Sequence, residues 1–90
     1  MVLPTYAKTV YVGFMTTYQD ALAAYFAKSD RTEAALAEMI GKSQPAVHRY
    51  RKGQRFPDAD TARVIDRQTG GEVPFSVWQA DFLMRSGLAA

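Results

Sequence analysis

The sequence predicts an all-α protein, a compact bundle of about five helices preceded by a short extended arm. Apolar residues recur at helical spacing, three and four apart, along most of the chain. Residues that cap helix N-termini stand ahead of these runs, and glycines follow them. Strand-favouring residues cluster at Val10, Tyr11 and Val12, within the first 14 residues.

Taken in order, residues 2–14 read as an arm or a short strand. Thr17 is an N-cap, with Asp20 three residues on, opening a helix to about Lys28. Leu22, Tyr25 and Phe26 form its apolar side, and Ala21 and Ala24 allow close packing. Thr32 opens a second helix from Glu33 to Ile40 with Leu36, Ala37 and Ile40 on one face. Gly41 ends it, because glycine takes a positive φ without a Cβ clash. Ser43 caps a third helix, from Gln44 to about Lys52, that buries Val47 and Tyr50. Pro45 fits its first turn, where the missing N–H has no intrahelical partner to lose, and Gly53 stops it. Phe56 and Pro57 anchor the next loop. Asp58 then caps a fourth helix to Thr69, with Ala62 and Ile65 inward and Gly70 and Gly71 beyond its end. Val73 reads as briefly extended. Ser76 and Gln79 have capping-box spacing for a last short helix with Val77, Trp78, Phe82 and Leu83 as its apolar residues. Trp78 and Phe82 are expected to close the core, with a contact across a dimer as their competing role.

Ninety residues, 48% of them apolar, suffice for one core and not for two. The expected layout is an extension over residues 1–14, a folded domain over 15–86 and a tail over 87–90. The absence of cysteine excludes disulfides, thiol nucleophiles and thiolate metal sites. His48, the single histidine, lacks the partners a metal site needs, so neither metal nor cofactor is expected. No apolar run approaches the roughly 18 residues of a membrane span. The first 14 residues are broken by Pro4, Lys8 and Gly13 and have neither a basic start nor a small-residue cleavage site. No signal peptide is expected, and the expected location is the cytoplasm. The carboxylates are dispersed, and neither a nucleophile–base pair nor a phosphate-cradling glycine loop is apparent, which argues against an enzyme.

The net charge is only +2, but Lys42, Arg49, Arg51, Lys52 and Arg55 follow one another without an intervening acid. Such an island suits a polyanion, although a basic run can equally be a plain solvated face. It coincides with the most informative stretch, residues 32–53, TEAALAEMIGKSQPAVHRYRKG. Two short helices joined by a brief glycine-containing turn cross steeply and leave the second standing proud. Ala37 supplies the small contact residue, Gly41 the left-handed turn, and Val47 the β-branched plug, at spacings of four and six residues. With Val47 and Tyr50 inward, Gln44, Pro45, His48 and Arg49 form the base-facing set of a helix entering a DNA major groove. Gln44 suits adenine, Arg49 suits the O6 and N7 of guanine, and Pro45 suits a thymine methyl or shapes the first turn. His48 is read as a contact to phosphate or to a neighbouring side chain rather than as a ligand or catalyst. Arg51, Lys52 and Arg55 extend past the helix end toward phosphates, with Ser43 at its start. Backbone N–H groups near Thr32 and Glu33 offer a second phosphate clamp.

The segment GKSQPAVHRYRKG resembles the turn and recognition helix of the Cro and lambda-repressor-like helix-turn-helix superfamily, at Gly41, Ser43, Gln44, Val47 and Gly53. The following RFPDADTARVIDRQTGGEV is similar to the YdaS-like, Cro-type branch, through Ile65, Asp66, Arg67, Thr69, Gly70 and Gly71. The resemblance spans about residues 17–81. It implies base contacts at Gln44, Pro45 and Arg49, with Thr32, Glu33 and Lys52 near phosphates. The sequence departs from the pattern at Glu33, where glutamine is common and an acid weakens contact to DNA, and at Lys42, in a usually apolar turn position. Gln79 and Ala80 replace a frequent arginine and proline, and the loop from Gly53 to Asp58 is about one residue longer. The implied function is a phage-type transcriptional repressor, binding double-stranded DNA as a homodimer on a pseudo-palindromic operator. The rival expectations are a toxin–antitoxin component with a small protein partner, and a helical interaction module that has lost DNA binding.

Overall fold

In the computed structural model, residues 17–87 are described, and their regular structure is entirely helical. The elements are α1 (Tyr18–Phe26), α2 (Glu33–Ile40), α3 (Gln44–Lys52), α4 (Ala59–Gln68) and α5 (Phe75–Arg85). The expected arm over residues 1–14 lies outside the described residues, as does the expected tail beyond Gly87.

The first four helices start where the capping side chains stand. Thr17 and Asp20 form a reciprocal capping box: the Asp20 amide donates to Thr17 Oγ1 at 3.0 Å, and the Thr17 amide donates to the Asp20 carboxylate at 3.3 Å. Thr32, Ser43 and Asp58 accept from the amides of Ala35, Ala46 and Thr61 at 3.1, 3.2 and 2.8 Å. Caps of this kind are each worth about 1 kcal/mol. α3 ends at Gly53 with φ 75°, in the left-handed conformation.

α5 departs from the sequence expectation. It begins at Phe75, so Ser76 lies inside the first turn and cannot cap it; Pro74, at the cap position, makes no side-chain hydrogen bond. The cap comes from another helix, since the Phe75 amide donates to Asp66 Oδ2 of α4 at 2.8 Å. α5 returns the device to α1: the Tyr18 amide donates to Asp81 Oδ2 at 2.9 Å, while Arg85 holds the other oxygen at 3.0 Å. These two carboxylates brace the first turns of α1 and α5 onto the bundle. Val73 is no strand. It is a fully buried loop residue whose amide donates to Thr69 Oγ1 at 3.2 Å, while that hydroxyl donates to the Ile65 carbonyl at 2.7 Å. The run from Ile65 to Gly71 is thus a helix exit folded back under a buried valine.

The core gathers Tyr18 and Leu22 from α1, Leu36 from α2, Val47 from α3, and Ile65 from α4 around Val73. Burying each large aliphatic side chain contributes about 1.5–3 kcal/mol. Trp78 seals one side, with its Nε1 donating to the Pro57 carbonyl at 2.8 Å. Its ring stacks with Phe75, Phe82 and Phe56 at centroid distances of 5.2, 5.0 and 5.5 Å. Trp78 closes the core as expected, but Phe82 does not: it is 42% exposed, and Leu83 is 41% exposed. Phe82, one turn on, stacks on the buried indole and on Phe56 from the outside of the bundle and stays partly exposed.

The Tyr18 hydroxyl is buried and has no hydrogen-bond partner among the described residues. Burial, with the charge of Asp66 and the nearby Tyr50, pushes its phenol well above the ordinary range. An unbonded buried hydroxyl costs about 1–3 kcal/mol of desolvation. Tyr18→Phe is therefore expected to be neutral or to stabilise the fold by about 1 kcal/mol in urea unfolding. A clear loss of stability would show that the hydroxyl is bonded.

Candidate nucleic-acid interface

α2 and α3 make the most extensive interhelical contact of the bundle, across the connection formed by Gly41, Lys42 and Ser43. The reversal is local chemistry. Gly41 has φ 72°, and the Lys42 amide reaches back to the Ala37 carbonyl at 2.9 Å. Ala37, 3% exposed, lets the helices approach, and Val47, 1% exposed, fills the corner. Lys42 itself is exposed, as its polar side chain at a turn position implies.

With Val47 and Tyr50 buried, the rest of α3 divides into two faces. Gln44, Pro45, His48, Arg49 and Lys52 are exposed, and Arg51 is half-buried. Arg49 and Lys52 enter no salt bridge among the described residues. Lys42 and Arg55 flank them near Asp58, whose carboxyl is held low by hydrogen bonds from the Thr61 amide and hydroxyl and by those two cations. Several cations elsewhere are engaged, although Arg67 of α4 is exposed and in no salt bridge among the described residues. Arg31 grips Glu72 through two bonds of 2.6 and 2.8 Å, and Lys28 adds a third of 3.1 Å. Those bonds hold the Glu72 carboxyl down to about 2.

The other face of α3 is turned onto Glu33, the first residue of α2. Its side chain is 12% exposed and accepts from three α3 residues on one stripe, Gln44, His48 and Arg51. Gln44 Nε2 donates to Oε1 at 2.6 Å, and Arg51 Nη1 donates to Oε2 at 3.1 Å. His48 Nδ1 lies 3.2 and 3.0 Å from the two oxygens. Partial burial pushes the Glu33 carboxyl up, but the bonds from His48, Arg51 and Gln44 together outweigh it and hold the carboxyl below its ordinary range. Arg51 is further occupied by the Phe26 ring, 4.9 Å from its guanidinium carbon.

The structure thus brings Gln44, His48 and Arg51 onto Glu33 and leaves Pro45, Arg49 and Lys52 turned outward, with Arg55 beyond the helix end and the hydroxyls of Ser43 and Thr32 accepting at the helix caps. Sequence reasoning placed Glu33 near phosphate, as an acid opposed to DNA, and missed its bonds to Gln44, His48 and Arg51. The available signal was the polar stripe Gln44, His48 and Arg51 facing the helix that begins with Glu33. Among the described residues, no three His, Cys, Asp or Glu side chains gather as a metal site, and no helix is long and apolar enough to cross a membrane. The chain matches no family model, no curated protein and no solved structure.

Proposed function

We propose that the chain is a sequence-specific, double-stranded DNA-binding regulator in which α2 and α3 act as a helix-turn-helix, with α3 entering the major groove. The observation that carries this reading is the outward face of α3, where Arg49 and Lys52 stand exposed without an ion pair among the described residues, beside exposed Gln44, Pro45 and His48. A helix fits the major groove, arginine suits guanine, and lysine suits phosphate. The proposed role is a phage-type repressor acting as a homodimer on a pseudo-palindromic operator. One short helix makes few base contacts, and two half-sites supply the missing affinity.

A second observation supports a protein partner. Phe82, Leu83 and Met84 of α5 are 42%, 41% and 69% exposed, an apolar surface on which a second copy would bury area. A small partner protein, as in a toxin–antitoxin pair, would use the same surface.

The experiment is a duplex titration across salt concentrations. Affinity should fall with salt, with a log–log slope of about −0.9 per phosphate neutralised. Lys52→Ala should weaken cognate and random duplexes alike and flatten that slope by about one unit. An unchanged slope removes Lys52 from the contacts, and affinity independent of salt overturns DNA binding altogether.

A further inference from the structure

We propose that Glu33 is a positioning residue that sets the donor and acceptor pattern α3 presents to DNA, giving up general affinity for base discrimination. The inference rests on the DNA-binding reading above and concerns how that same site tells bases apart. A carboxylate offers only acceptors, so the Gln44 amide bonds it through nitrogen and never through oxygen. That fixes the otherwise reversible carboxamide, leaving its carbonyl oxygen and one N–H for a partner, the pair that adenine N6 and N7 require. The same logic acts on His48. Facing two carboxylate oxygens at 3.0 and 3.2 Å, Nδ1 carries the proton. In the neutral ring Nε2 is then an acceptor, suited to an exocyclic amine of adenine or cytosine. Arg51 completes the set and, by holding Oε2 at 3.1 Å, keeps the carboxylate ionised and turned toward α3.

An acid at this position also repels phosphate and so lowers binding to any duplex. Its charge is offset locally by Arg51, but a neutral residue there would bind DNA of every sequence more tightly. Ordering two base-facing side chains without adding a contact is therefore the gain set against that loss.

Glu33→Gln is the test. It keeps size and hydrogen bonding but can both donate and accept, so it no longer dictates the Gln44 amide or the His48 tautomer. In the DNA-free protein, nitrogen NMR of the neutral His48 ring should show the Nδ1–H tautomer in the wild type and a mixture in E33Q. In binding, E33Q should lose about tenfold in discrimination at one base pair of the preferred site. Its affinity for random duplex should rise. A wild-type His48 protonated on Nε2 overturns the proposal even if E33Q folds poorly. A wild type with clear base preference and an E33Q protein that retains it in full also overturns the proposal, while leaving the DNA reading intact. A wild type with no base preference at all removes the DNA reading and the proposal with it.

Discussion

Trp78→Ala is expected to cost about 3–5 kcal/mol of folding stability, the range for truncating a buried large aromatic. The indole is 6% exposed and stacks with Phe75, Phe82 and Phe56, so its loss opens a cavity under several rings. It also removes the donor to the Pro57 carbonyl, a buried bond of 2.8 Å that ties the α3–α4 loop to α5. A domain of this size holds about 5–15 kcal/mol in total, so the variant should lose a large share of its stability. Urea unfolding measures this directly as a lowered midpoint at unchanged slope. Phe82→Ala should cost less, because that ring is already 42% exposed. A loss below about 1 kcal/mol for Trp78→Ala would show that the stack contributes little.

Arg49→Ala is expected to weaken binding to the preferred duplex by about 1–3 kcal/mol and to relax the preference at one base pair. Arg49 is exposed on α3 and in no salt bridge among the described residues, so its truncation leaves no buried partner and should not disturb the fold. Parallel titrations on preferred and random duplexes separate base contact from backbone contact. Equal losses on both would place Arg49 on phosphate only.

These two predictions draw on parts of the molecule that were unequally legible in the sequence. Caps and glycine exits are local chemistry, and for α1 to α4 they were readable: Thr17, Thr32, Ser43 and Asp58 begin the helices, and Gly41 and Gly53 end two of them. The start of α5 was misread because its cap is not local. Asp66 lies nine residues before Phe75 and on another helix, beyond the reach of any spacing rule. Phe82 and Leu83 have the right periodicity for a core, but periodicity gives a direction and not a depth: Phe82 stacks on the buried Trp78 and both residues stay about two-fifths exposed.

At the candidate interface, the inward placement of Val47 and Tyr50 follows from the three- and four-residue spacing of α3, and so does the exposure of Gln44, His48 and Arg49. Glu33 was visible as a residue opposed to DNA. Its bonds to Gln44, His48 and Arg51 depend on how closely α2 and α3 cross, a tertiary distance that residue types alone do not encode.

Selection of bound sequences from a random duplex pool tests most directly whether the outer face of α3 reads DNA. The expected result is enrichment of one motif with two inverted half-sites about one helical turn apart, and loss of that motif in a Gln44→Ala, Arg49→Ala double variant. Failure of the wild-type protein to enrich any sequence, or an identical motif from the double variant, would contradict it.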